Sequence, residues 1–252
     1  MTERRPAPEW LVRRPIAHRG LHDRAAGRIE NAPASALAAV AQGFAVECDV
    51  QLTADGEAVV FHDFTLDRLT EASGPIGEHG AAELGALPLA GSRDTIPTLA
   101  AFLALVAGRV PVICEIKSRF DGDMRLADRA AAVAAETAGP LAFKSFDPAV
   151  VAHLRGRGLQ NPLGIVAEAD YDDPDWAALS PALKRDLAAM LHFAETRPDF
   201  LSYRVGDLPH AVPHLCRVAV GLPVMTWTVR TPEQRQRAAN WADQMVFEGF
   251  VP

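Results

Sequence analysis

Lysine is scarce in this chain. Of 25 basic residues only Lys117, Lys144 and Lys184 are lysines, and the rest are arginines. Apart from Arg4-Arg5 and Arg13-Arg14 near the N-terminus there is no basic cluster, and the net charge is −7. Nucleic-acid binding needs a basic stripe to meet phosphate, so that class is excluded. Cysteine is nearly absent: Cys48, Cys114 and Cys216 are odd in number and far apart, which excludes a disulfide framework and points to a reducing compartment. Long apolar runs are missing as well. Leu99–Ala107 is about half of the roughly 18–20 residues that cross a bilayer. Residues 1–15 carry basic groups without the apolar stretch of a signal peptide. The expectation is a cytoplasmic protein without stable membrane insertion. No G-x-G-x-x-G follows any strand-like run, which argues against a dinucleotide site.

What is present is the balance of an ordinary folded protein, 49% hydrophobic and 23% charged over 252 residues. A chain of this length buries roughly three quarters of its unfolded surface, so a metal would serve chemistry rather than stability. Short runs rich in β-formers alternate with helical patterns throughout. The predicted strands are Pro15–His18, Phe44–Val50, Ala58–His62, Val110–Ile116, Leu141–Lys144, Leu163–Ala167, Phe200–Arg204, Pro223–Val229 and Gln244–Phe247. The predicted helices are Ala34–Gln42, Leu99–Gly108, Met124–Thr137, Ala149–Gly156, Asp175–Glu195, Leu208–Val218 and Pro232–Asn240. Ser35, Thr98, Asp147-Pro148 and Thr231-Pro232 suit helix caps or first turns. Strand–helix alternation implies a mainly parallel sheet. A (β/α)₈ barrel fits if Ala58–His62 is an accessory strand or a continuation of the second; a doubly wound open sheet is the runner-up. The Gly/Pro-rich stretch Asp63–Pro97 is too long for an ordinary connection, so it is a functional insertion or a small subdomain.

Ionisable residues close four successive apolar runs: His18-Arg19, Glu47-Cys48-Asp49, His62-Asp63 and Glu115-Ile116-Lys117. In a parallel barrel, catalysis sits at the carboxyl ends of the strands. Residues i and i+2 of a strand share a face, so Glu47 and Asp49 point together, as do Glu115 and Lys117. If those pairs face the interior, Cys48 and Cys114 face the helices as small hydrophobes. Three carboxylates converging in a low-dielectric mouth must be neutralised by protons, cationic side chains or a metal. An all-oxygen set suits one hard divalent cation, Mg²⁺ or Ca²⁺. Arg19 and Lys117 suit an anionic substrate, and His18 and His62 offer an acid–base pair. A lone carboxylate at a strand end is usually a solvated turn residue; coincidence across four strands carries the reading of a metal-dependent enzyme on an anionic substrate.

These residues resemble the glycerophosphodiester phosphodiesterase family. The resemblance rests on His18-Arg19-Gly20, Glu30-Asn31, Glu47-x-Asp49, Thr53-x-Asp55-Gly56 with Val59–Asp63, Leu66-x-Arg68, Ile96-Pro97-Thr98-Leu99 and Glu115-Ile116-Lys117. Ser145-Phe146 and Trp227-Thr228-Val229 are its later landmarks. The resemblance implies a TIM barrel over residues 1–252 as a single domain, with a small insertion after the second strand at about 63–97. It implies hydrolysis of a small glycerophosphodiester to an alcohol and glycerol 3-phosphate. Glu47, Asp49 and Glu115 match the metal ligands, His18 and His62 the acid–base pair, Arg19 and Lys117 the phosphate contacts, and Trp227 an aromatic near the glycerol. The end of the chain departs from the family: Glu248-Gly249 stands where Thr-Asp is common, and Arg230 where Asn is frequent. The acidic run Glu168–Asp175 is expected to be a solvated loop. Two other readings compete. One is a related barrel phosphodiesterase acting on lysophospholipid, phosphoinositide or sphingomyelin head groups. The other is a barrel that binds without catalysing, against which every expected position being filled is the argument.

Overall fold

The computed structural model describes residues 6–252, so the Arg4-Arg5 pair lies outside the described residues. The strands are β1 (Ile16–Ala17), β2 (Ala45–Leu52), β3 (Ala58–Val60), β4 (Val112–Ile116), β5 (Leu141–Ser145), β6 (Leu163–Ala167), β7 (Phe200–Arg204), β8 (Val224–Val229) and β9 (Gln244–Phe247). All except β3 run parallel, and β1 closes the ring by pairing Ile16 with both Ala45 and Val246. This is a (β/α)₈ barrel; the open-sheet alternative is excluded because β1 leaves no edge. β3 turns back antiparallel on β2, pairing Val60 with Val50, and is the accessory strand that the barrel reading required.

Alternation along the strands builds two cores. Val46, Cys48, Val50, Cys114, Ile116, Phe143, Ile165 and Tyr203 point outward into the layer shared with the helices. Ile16, Ala45, Ile113, Ala142, Phe200, Met225 and Val246 fill the barrel interior, and Leu11 packs against them from a short 3₁₀ turn, Glu9–Leu11. Phe200 fits because Gly164 faces it: a Cβ there would stand 2.3 Å from the ring. With the lower barrel filled by apolar side chains, the next inward residues, two positions on, are left at the carboxyl mouth. That step puts Glu47, Glu115, Lys144 and Trp227 there.

The helices are α1 (Pro33–Gln42), α2 (Ala81–Ala86), α3 (Leu99–Val106), α4 (Arg125–Ala135), α5 (Pro148–Gly156), α6 (Pro181–Ala188), α7 (Phe193–Thr196), α8 (Ala211–Val218) and α9 (Pro232–Trp241). Thr98 caps α3, Asp147 caps α5 and Thr231 forms a full capping box on α9, as the sequence predicts. Ser35 does not cap α1. That helix begins at Pro33 after Ala32, and the buried Ser35 hydroxyl donates to Ala32 O (2.8 Å) from within its first turn.

One predicted helix, Asp175–Glu195, is instead a 3₁₀ turn at Pro174–Trp176 followed by α6 and α7. Pro181 has no N–H to extend a preceding helix, Ser180 caps α6 by accepting from Leu183 N, and Met190 at φ +50° breaks the run before α7. The helix predicted from Leu208 starts at Ala211, because Pro209 holds Leu208 extended and His210 accepts from Val212 N as the cap. The stretch between His62 and Thr98 holds α2, which the Gly/Pro pattern concealed. It has a core of its own: Ile29, Phe61, Leu66, Leu69, Ile76, Leu84, Leu89 and Ile96 are buried together beside the barrel. Among the described residues, no helix is long and apolar enough to cross a membrane.

Candidate active site

At the mouth, β2 and β4 stand in register, with Asp49 opposite Glu115 and Cys48 opposite Cys114. The carboxylates of Glu47, Asp49 and Glu115 are buried, with one oxygen of each within 4.8 Å of the others. Both cysteines face the helix layer and are buried; hydrogen bonding with Cys114 and burial push the Cys48 thiol well up, so it stays neutral and unreactive.

Each carboxylate is held by specific donors. Lys117 Nζ bridges Asp49 Oδ1 (2.8 Å) and Glu115 Oε1 (2.5 Å). Lys144 Nζ bridges Glu47 Oε1 (3.0 Å) and Glu115 Oε2 (3.2 Å). Asn31 donates to Asp49 Oδ2 at 2.9 Å and accepts from Asp49 N at 3.1 Å. Asn31 adopts φ +61°, a left-handed conformation that asparagine tolerates better than most side chains. Burial alone would raise the Asp49 carboxyl, but Lys117, His62, Arg19 and His18 together hold it well below the usual carboxylate range. Glu115 is likewise lowered against burial by Lys117 and Lys144. Asp49 and Glu115 are therefore kept as anions by neighbours rather than by solvent.

Both imidazoles are tied at Nδ1 to a carboxylate. His18, at the end of β1, lies 2.5 Å from Glu248 Oε2, and His62, just past β3, lies 2.7 Å from Asp63 Oδ1. An ionised carboxylate only accepts, so each ring donates from Nδ1, which leaves Nε2 as the accepting nitrogen of the neutral imidazole. Asp63 is itself held by Arg68 (Nε to Oδ2, 2.6 Å), and Arg68 makes a fork onto Glu30 at 2.7 and 2.8 Å. Glu30 accepts in turn from Arg19 Nη1 at 2.6 Å. A continuous chain of charge, Arg19–Glu30–Arg68–Asp63–His62, thus runs from β1 through the insertion. Arg19 also approaches Asp49, its Nε 3.3 Å from Oδ2, and its backbone N–H donates to Glu47 Oε2 at 3.0 Å.

The structure brings His18, Arg19, Glu47, Asp49, His62, Glu115 and Lys117 into one mouth. Trp227 stands on β8, donating its indole N–H to Ser202 O (3.1 Å) and meeting Phe146 edge-on at 5.5 Å. Phe146 contacts Trp176 at 4.8 Å, and Trp176 contacts Tyr171 and Phe120, so an aromatic wall occupies the mouth beyond β5, β6 and β8. Glu168 is not a solvated loop residue. It is buried, accepting from the Trp176 indole and from Arg204, and burial pushes its carboxyl up.

Lys144, Glu248 and Trp176 were missed as site residues by sequence reasoning. The signal for Lys144 was available: it follows Ala142 by two on the interior face and pairs with Glu115 across β4 and β5. Trp176 carried no such signal, because it lies inside a segment whose pattern suggested continuous helix.

A closed α/β barrel whose charged groups gather at the carboxyl ends of its strands places the protein among barrel enzymes. Comparison with family models narrows this. The glycerophosphoryl diester phosphodiesterase family model matches residues 18–251, and the chain belongs to that family. It is accordingly a phosphoric diester hydrolase.

Solved structures with the same fold include a phosphodiesterase from Oleispira antarctica in complex with its product sn-glycerol-3-phosphate. That protein is 23% identical, with a TM-score of 0.76 over 94% of this chain and 93% of its own. A glycerophosphodiester phosphodiesterase from Parabacteroides distasonis is 21% identical, with a TM-score of 0.73 over 93% of this chain and 92% of its own. The enzyme from Thermotoga maritima is 22% identical, with a TM-score of 0.69 and 92% of both chains covered. A search of curated protein sequences found no match.

Proposed function

We propose that the protein hydrolyses small glycerophosphodiesters to an alcohol and glycerol 3-phosphate, with Glu47, Asp49 and Glu115 holding one divalent cation, Mg²⁺ or Ca²⁺. The convergence of those three carboxylates at the mouth carries the reading. The donor set fits such an ion: it is all oxygen, and one carboxylate oxygen of each residue lies within 4.8 Å of the others. When bound, the cation would polarise a phosphoryl oxygen as a Lewis acid.

The chain's own residues supply the rest. Lys117 and Arg19 place positive charge where a phosphodiester would sit and where charge builds up in the transition state. One of His18 and His62 takes the proton of the glycerol 2-hydroxyl at Nε2 as that oxygen attacks phosphorus. The other gives a proton to the departing alcohol oxygen, and water then opens the resulting cyclic phosphate. The carboxylate behind each Nδ1 stabilises the ring when it is charged. Trp227 forms part of the wall against the glycerol. Buried cysteines that form no disulfide among the described residues fit a reducing, cytoplasmic setting.

The test is release of glycerol 3-phosphate from glycerophosphocholine and glycerophosphoethanolamine after EDTA treatment, with Mg²⁺ or Ca²⁺ then restored. Release that returns with the metal supports the reading. No release with either ion, from folded protein, overturns it.

A further inference from the structure

Lys144 projects from β5 into the barrel and is only 3% exposed. Its ammonium spans Glu47 Oε1 and Glu115 Oε2 at 3.0 and 3.2 Å. Three cationic side chains, Arg19, Lys117 and Lys144, thereby face the three buried carboxylates of Glu47, Asp49 and Glu115. The carboxylates are compensated before any metal arrives, by Lys117 and Lys144 directly and by Arg19, which is shared with Glu30. The three cations are not equivalent. The side chains of Arg19 and Lys117 are 17% and 13% exposed and open toward the mouth, where an anionic substrate can draw them. Lys144 is sealed beneath and has no route to a substrate.

Buried carboxylates this close repel strongly unless compensated. A fixed ammonium between two of them keeps the site assembled without metal. Once a divalent cation enters, the same ammonium stands beside a like charge in a low-dielectric cavity and opposes it. We propose that Lys144 is a built-in counter-cation: it holds Glu47 and Glu115 together in the metal-free protein and sets the divalent-ion affinity low. Lys144 is a positioning residue and touches no substrate. The inference rests on the metal reading of the three carboxylates.

The test is calorimetric titration of Mg²⁺ and of Ca²⁺ into metal-stripped wild type, Lys144→Met and Lys144→Gln, with thermal unfolding of each protein with and without cation. The expected result is a Kd lower by about tenfold or more in the variants, from loss of the opposing charge. Their metal-free Tm should be lower than that of wild type, and the rise on adding cation larger. A purely structural lysine would lower Tm equally with and without cation and leave Kd unmoved. Folded variants with unchanged or weaker affinity overturn the proposal. So do variants that remain unfolded in saturating cation, because the added charge then fails to replace the lysine. Absence of binding in wild type and variants alike overturns the metal reading, and this inference with it.

Discussion

His18 and Glu248 lie 230 positions apart in sequence, yet His18 Nδ1 stands 2.5 Å from Glu248 Oε2 across the seam where β1 pairs with β9. Closing the barrel builds this contact. Glu248 also accepts from Arg230 at 2.6 Å and lies 3.4 Å from His22. Burial would raise its carboxyl, but the bonds to His18, His22 and Arg230 drive it far below the usual range. Glu248→Gln keeps the shape and removes the charge behind the imidazole. A fraction of the roughly 10²–10⁴ that an acid or base contributes should be lost, so kcat should fall about 10–100-fold with KM little changed. Steady-state kinetics on glycerophosphocholine checks this; unchanged kcat rules out the orienting role.

His18→Ala and His62→Ala should each keep the wild-type circular dichroism spectrum and lose about 10²–10⁴ in kcat, because both rings sit at the mouth outside the apolar core. The double variant should cost much less than the product of the two losses if the rings serve one concerted step. Near-wild-type turnover in either single variant removes that ring from the chemistry.

Gly164→Ala tests the packing below the site. The new methyl would meet three Phe200 ring atoms at 2.3 to 2.7 Å inside a closed barrel that has no room to yield. Overpacking of this kind costs about 1–3 kcal/mol. Chemical denaturation should show that loss, and Phe200→Leu in the same chain should restore part of it.

Acid should weaken the fold in two stages. Burial depresses the His192 imidazole from 6.5 to about 4. Arg68 and Arg19, working against burial, lower the Glu30 carboxyl from 4.5 to about 2. A group depressed in the folded state binds fewer protons there than in the unfolded chain, so its stability is present above the unfolded value and is lost as pH falls. The His192 contribution should fade between pH 6.5 and about 4, and that of Glu30 between pH 4.5 and about 2. Thermal unfolding followed from pH 7 to pH 2 reads both stages. His192→Gln should flatten the upper stage alone.

Local patterns along the chain announced much of this molecule. The alternation of β6, β7 and β9 was legible to the residue, because a buried parallel strand is a short apolar run with clear breakers on each side. Glu47 and Asp49, and Glu115 and Lys117, could be placed on one face each by the two-residue period. Barrel closure, by contrast, is a pairing of β1 with β9, and no local pattern encodes a contact between the two ends of a chain. The same holds for the partners that give the site its electrostatics. Glu248 reaches His18 only through that seam, and Lys144 reaches Glu47 only because β5 and β2 both flank β4. Local propensity names the elements and their inward faces. Long-range register chooses which inward charges meet, because Coulomb energy in a buried site depends on the few ångströms between side chains and not on their separation in sequence.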